Sequence, residues 1–259
     1  MSEAVISCAI EDAIAVVTLA RPAKLHALTP AMLDALEQQA RALDADPTVR
    51  AVILTAEGER AFCVGADINE WAALQPLEMW RRWVRRGHQV FDQWARLRQP
   101  VIAALNGHAF GGGLELAVTA DIRIAADQAC FALPEASIAT CPGWSGTQRL
   151  VTLIGPAHAK YLALTGARIG AAQALDRGLV HEVTPAAGLR ERALQIARDI
   201  AGKAPVAVQL TKQLINAAAA EDQAATLEAM AGALAASTTD AAEGIRSFQE
   251  RRAPHYRGT

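Results

Sequence analysis

The sequence predicts an α/β fold, and three observations carry that expectation. Short runs rich in β-branched residues alternate with helical patterns through the first two-thirds of the chain. Strand signals stop near Ala186, and only helical patterns follow. A triple glycine, Gly111–Gly113, breaks an apolar stretch and feeds a run that reads as a helix entering a core, Leu114 to Val118. At 259 residues and 52% hydrophobic, the chain suits one large or two small domains with an ample core.

The elements follow in order. "MSEAVISCAIED" carries acids and lacks a basic segment before an apolar run, so no signal peptide is expected. Ile14–Leu19 reads as a strand. Thr29 before Pro30 is a helix start, and Leu33, Leu36, Ala40 and Leu43 recur at helical spacing. Ala51–Thr55 is the next strand. A helix from near Pro76 to Arg98 carries Trp80, Trp83, Val90, Phe91, Trp94 and Leu97. Val101–Leu105, Asp121–Ala125, Ala129–Leu133 and Leu179–Val183 read as further strands. The tail predicts three or four helices, including an Ala-rich one over Ile215–Ser237, with a break at Gly202 to Pro205.

Composition excludes several classes. A formal net charge of −2 does not favour nucleic acid as the main partner. The most apolar window, Val101 to Ala120, holds Asn106, His108, Glu115 and four glycines, which makes a poor membrane span. Cys8, Cys63, Cys130 and Cys141 show no C-x-x-C spacing and read as reduced thiols of a cytoplasmic protein. The six histidines form no ligand motif, so no metal is expected.

The triple glycine leaves peptide N–H groups unshielded by a Cβ, and the next helix aims its free N–H groups at the same place. This is an anion-binding corner or a plain tight turn. A P-loop is excluded, because Gly113 and Leu114 stand where Lys and Ser/Thr belong. A dinucleotide fingerprint fails at Leu116, where the last glycine should be. A polarised carbonyl is the remaining guest, and it requires a second N–H from another loop. "AFCVGADI", Ala61–Ile68, offers one after the strand Ala51–Thr55.

Glu115 sits in the apolar helix, where an unpaired carboxylate is costly. Glu135 follows Pro134 and a strand that reads as buried. Two carboxylates facing one cavity push their pKa values apart, which equips a site for acid–base chemistry.

With these residues in view, the chain resembles the crotonase superfamily, the enoyl-CoA hydratase/isomerase group. The resemblance runs through "VTLARPAKLHALT", "AFCVGADI", "NGHAFGGGLELAVTADIRIAA", "FALPEASIATCPGWSGTQRL", "ALTGARIGAAQALDRGLVHEV" and "EGIRSFQERRAPHY". It implies a right-handed ββα spiral over residues 1–200 and a helical C-terminal region, 201–259, that assembles trimers or pairs of trimers. By position, the N–H groups of Ala66 and Gly112 match the oxyanion hole for an acyl-CoA thioester. Glu115 and Glu135 match the two catalytic glutamates of hydratases, and Gly143 matches a glycine that helps hold the reacting water. Substrate contacts are implied at Ala61, Val64, Asp67, Ile68 and Trp144, and from the tail at Tyr256 and Arg257. No metal or redox cofactor is implied, since coenzyme A is part of the substrate.

The resemblance also implies alternatives. Isomerases of the group commonly keep a single acid at the position of Glu135, and a carnitinyl-CoA-type dehydratase is a further variant. Trp144 and Ser145 stand where hydratases carry small residues, and Asn69 stands where lysine is frequent. "GWSGT" lacks the last glycine of a G-x-S-x-G nucleophile elbow, which counts against a serine hydrolase. A non-enzymatic RNA-binding or scaffolding trimer would leave both acids unexplained. "RRWVRR", Arg81 to Arg86, reads as a solvated helix face, and His108 as a loop residue.

Overall fold

The structure, a computed structural model, describes residues 5–259. The expectation about a leader segment falls in part on residues 1–4, outside the described residues. The described chain divides into two compact units, one ending at Gln209 and one spanning Leu210–Thr259.

The first unit begins with a hairpin of β1 (Ile6–Glu11) and β2 (Ile14–Leu19). Helix α1 (Pro30–Ala45) follows, with Thr29 Oγ1 accepting the Met32 N–H at 3.2 Å and Pro30 in its first turn. Then come β3 (Ala51–Ala56) and β4 (Ala61–Cys63), and the short helices α2 (Ile68–Trp71) and α3 (Pro76–Glu78). A π-helical stretch, Met79–Val84, leads into α4 (Arg85–Ala95). Strands β5 (Val101–Leu105) and β6 (His108–Phe110) precede α5 (Gly112–Ala117), and β7 (Ile122–Ala126) and β8 (Cys130–Ala132) follow it. The unit continues through α6 (Gly146–Thr165), β9 (Ile169–Gly170), α7 (Ala171–Asp176), β10 (Glu182–Thr184) and α8 (Leu189–Ala201). Helix α6 is broken at Gly155 (φ 74°) ahead of Pro156.

Two sheets result. The larger runs β1-β2-β3-β5-β7-β10 and is parallel except for the β1–β2 pair. The smaller runs β4-β6-β8-β9. Each of the consecutive pairs β3–β4, β5–β6 and β7–β8 sends one strand to each sheet. Strand alternation then builds two cores. Val52, Leu54, Val101 and Leu105 face the main core with Leu33, Leu36, Phe91 and Trp94. Ile53, Ile102, Ala104 and Ile124 face the other way, against Leu189, Ala193 and Ala197 of α8. Those three residues recur every fourth position and so share one helix face. The buried Trp94 indole donates to Leu36 O at 3.1 Å, which fixes α4 against α1.

Several expectations need correction. The three-residue strands β4 and β6 and the two-residue β9 were not anticipated, since two or three residues show no readable period, and the six-residue β1 was not anticipated either. His108 therefore lies in a strand, stacked on Phe110 at 5.3 Å between ring centroids. The Leu179–Val183 strand shifts to Glu182–Thr184, because Leu179 and Val180 both donate to Ala174 O in the turn after α7. The long helix Pro76–Arg98 loses its regular spacing in the π-helical stretch and ends at Ala95.

Helix α9 (Pro205–Ala218) starts at Pro205, and the division between the units falls within it. The second unit holds α10 (Gln223–Ala236) and α11 (Thr239–Glu250). The expected single helix over Ile215–Ser237 is interrupted, since Ala220 (φ 60°) and Asp222 (φ 58°) take left-handed conformations. Leu227, Leu234, Ile245 and Phe248 of this unit are exposed. Among the described residues no helix is long and apolar enough to cross a membrane.

Candidate active site

The site grows from the ends of two neighbouring strands. β4 and β6 pair in parallel, so the loops that leave them lie side by side. The first loop is anchored by Leu28, whose N–H donates to Gly65 O at 2.7 Å while Leu28 O accepts the Asp67 N–H at 2.9 Å. Ala66 N–H lies between these anchors and has no protein acceptor among the described residues. Gly112 opens α5, so its N–H has no partner inside the helix. A Cβ built on Gly65 would come 3.1 Å from the Gly112 nitrogen, and one built on Gly112 would come 3.6 Å from the Ala66 nitrogen. Two free donors thus share one small volume.

The triple glycine has separate reasons. Gly111 adopts φ 52°, ψ −128°, which side chains disfavour, and a Cβ there would lie 2.9 Å from Glu135 Oε1. A Cβ on Gly113 would overlap the Cys63 carbonyl, so only glycine lets α5 press onto β4.

Glu115 is 3% exposed. Its Oε1 accepts the N–H of Trp144 at 2.8 Å and that of Gly146 at 3.0 Å. Burial raises its pKa, and the N–H groups of Trp144, Gly146 and Gly143 and the ring of His88 oppose that rise. Glu135 opens the 3₁₀ turn Glu135–Ile138 directly after Pro134. Burial pushes its carboxyl up to about 7, and the Glu115 charge adds to the rise. Its Oε2 is buried with no hydrogen-bond partner among the described residues. One acid is held by amides; the other has an unused oxygen and a pKa near neutrality.

Both acids line a cavity of about 270 Å³. Ala66, Gly112, Gly143, Val64, Ile68 and Trp144 line it as well. Trp144 is buried and packs on Trp83 (5.4 Å between ring centroids) and Phe91 (5.3 Å). Its indole lies so close to α4 that any side chain at Gly87 would overlap it. Met79, Trp83 and Val84 complete that wall. The sequence placed Trp83 on a helix but gave no sign that the helix borders the site.

Ala61 is buried in β4, opposite His108, and does not reach the cavity. Asp67 accepts Arg21 Nη1 at 2.7 Å and the Asn69 N–H at 3.1 Å, capping α2. Tyr256 and Arg257 belong to the second unit, where the Tyr256 ring lies along Gly244 and the Arg257 N–H donates to Asp240. Arg86 is not simply solvated, since it pairs with Asp34 and Glu37 of α1. Ser145 is buried with Oγ donating to Asp92, and it is not among the residues that line the cavity, so it is not placed as a nucleophile there.

An acid pair beside converging amides on this fold defines a class, and comparison with known proteins gives it a family. The enoyl-CoA hydratase/isomerase family model matches residues 9–259. The chain belongs to that family. It is 41% identical to the short-chain-enoyl-CoA hydratase of Clostridium acetobutylicum, over 93% of this chain and 93% of the relative. It is 38% identical to the crotonyl-CoA hydratase of Syntrophomonas wolfei, over 95% of each. The crystal structure of enoyl-CoA hydratase from Bacillus anthracis superposes with a TM-score of 0.82 at 38% identity, covering 99% of this chain and 100% of that one. The crotonase fold expected from the motifs is therefore the fold of this chain.

Proposed function

We propose that the protein reversibly adds water across the C2=C3 bond of a short 2-enoyl-CoA. One observation carries the reading: Glu115 and Glu135 line the cavity into which the unpartnered N–H groups of Ala66 and Gly112 open. The relatives named as short-chain and crotonyl-CoA hydratases support it.

In this reading the two amides bind the thioester oxygen and stabilise the negative charge that grows on it as C3 is attacked. Each such donor is worth about 3–4 kcal/mol in comparable sites. Water lies between the acids. Glu115, held as an acceptor by amide donors, takes the water proton as oxygen bonds to C3. Glu135, with its pKa pushed up to about 7, carries a proton at neutral pH and delivers it to C2. Dehydration runs the same steps backwards. The chain's own acids carry the proton transfers, its amides stabilise the charge on the thioester oxygen, and coenzyme A serves as the substrate's handle. Trp144 and Trp83 close the cavity beyond the reacting carbons, which favours a short acyl chain. The exposed Leu227, Leu234, Ile245 and Phe248 offer a surface for a homotrimer.

A second reading has one observation behind it. Oε1 of Glu115 is already occupied by Trp144 and Gly146, whereas Glu135 keeps a free oxygen. A lone working acid would suit double-bond migration. Product analysis with crotonyl-CoA and with a 3-enoyl-CoA separates the two. The hydratase reading expects 3-hydroxybutyryl-CoA from the former, with Glu115→Gln and Glu135→Gln each slowing its formation by roughly 10²-fold or more. Full hydration by both variants, or migration without hydration, refutes it.

A further inference from the structure

Ser145 stands between Trp144 and Gly146, the two residues whose N–H groups hold Glu115. Its backbone lies at φ 72°, ψ 7°, the left-handed region that disfavours a side chain. A glycine would meet that backbone demand at lower cost. What the serine adds is its hydroxyl, and Oγ donates to Asp92 Oδ1 at 3.0 Å. Nη2 of Arg149, in the first turn of α6, donates to the same oxygen at 2.9 Å. The other oxygen of Asp92 faces His88 at 3.3 Å and Arg96 at 3.8 Å. Both Ser145 and Arg149 are buried. One carboxylate on α4 therefore ties down the strained turn and the start of the helix that follows it.

We propose that Asp92 is a positioning residue for Glu115, acting through Ser145. The inference rests on the reading of Glu115 as the base of hydration. The chain of contacts is short: Asp92 holds the Ser145 hydroxyl, Ser145 sets the turn, and the turn aims the amides of Trp144 and Gly146 at Oε1. With the tether gone, the turn is free to leave its left-handed conformation and the amides drift from Oε1. The glutamate then loses its orientation toward the water while the thioester site stays formed. A misplacement of about 1 Å in such a group can cost about 10²-fold in rate.

The test uses Ser145→Gly, Asp92→Leu, Glu115→Gln and the double variant Ser145→Gly/Glu115→Gln, each assayed with crotonyl-CoA alongside thermal melting. Ser145→Gly should melt no lower than the parent, because glycine suits the backbone. Its kcat should nevertheless fall about tenfold or more, with KM changed by less than about threefold. Asp92→Leu, which has no acceptor for the Ser145 hydroxyl, should lose roughly ten- to a hundredfold in kcat. The double variant should be no slower than Glu115→Gln alone, since the tether acts only through that glutamate. Parental kcat in Ser145→Gly and Asp92→Leu, beside an inactive Glu115→Gln, overturns the positioning role and leaves the hydratase reading standing. Additive losses in the double variant, or a kcat loss in Ser145→Gly matched by a lower melting temperature, overturn it equally. Full hydration by Glu115→Gln overturns both.

Discussion

Oε1 of Glu115 lies 3.0 Å from the nitrogen of Gly146, and a side chain at 146 would overlap the glutamate's Cγ. The acid and the turn that holds it are packed as one piece. A methyl at 146 must therefore displace one of them. Gly146→Ala should lower crotonyl-CoA hydration by about 10²-fold, since the base is moved rather than removed. Overpacking of this kind also costs about 1–3 kcal/mol of stability. Steady-state kinetics and denaturant melts check the two effects together. A fully active Gly146→Ala would mean that the position of Glu115 is not critical.

The two acids also set a pH dependence. Glu135 must be protonated to serve C2, and its pKa is pushed up to about 7, so hydration should decline as pH rises through about 7. Glu115 must be ionised to accept the water proton. Burial raises its pKa too, so the acidic limb should sit above the usual carboxylate range. The two limbs belong to the pair, because each charge acts on the other. Stability follows the same sign. The folded pKa of Glu135 exceeds the value of about 4.3 for an unfolded glutamate, so the folded state holds the proton more tightly. That contribution is complete below the unfolded value and is lost as pH climbs through about 7. Glu135→Gln should thus gain on the parent in melting temperature between pH 5 and pH 8. A constant difference across that range would contradict the raised pKa.

Trp144 gives a prediction about substrate length. Its indole is wedged among Trp83, Phe91 and the bare backbone of Gly87. Trp144→Leu keeps an apolar residue in the core and shortens the wall. Each methylene that finds new burial is worth about 0.8 kcal/mol. The ratio of kcat/KM for 2-octenoyl-CoA to that for crotonyl-CoA should rise by about tenfold or more. An unchanged ratio would show that the acyl chain leaves the cavity by another side.

What the sequence revealed follows from physics at particular residues. Ile14–Leu19 and Val101–Leu105 have the expected bounds, because five or six β-branched and apolar residues between turns leave little choice. Gly111–Gly113, Glu115 and Glu135 were legible because bare backbone and a carboxylate in apolar surroundings are costly without a purpose. The wall of Met79, Trp83 and Val84 was not. It is brought to the site by a π-helical stretch that breaks the 3.6-residue pattern on which helix faces are read. Asp92 was hidden by distance, since its partner Ser145 is 53 residues away and no local pattern links them.

The amide of Ala66 offers the most direct test of the proposed chemistry. Leu28 pairs with Gly65 O and with the Asp67 N–H, so the fold makes no use of the Ala66 N–H between them. Ala66→Pro replaces that hydrogen with the ring Cδ, which projects into the same space, so the donor is removed and the thioester oxygen is crowded at once. If the N–H holds the thioester oxygen, its loss falls on kcat/KM. Removal of one such donor costs about 10²–10³-fold elsewhere, or about 3–4 kcal/mol. The fall in kcat/KM for crotonyl-CoA should be at least that large, and the circular dichroism spectrum should match the parent's. A folded Ala66→Pro variant with parental kcat/KM would show that the thioester oxygen finds its stabilisation at some other group.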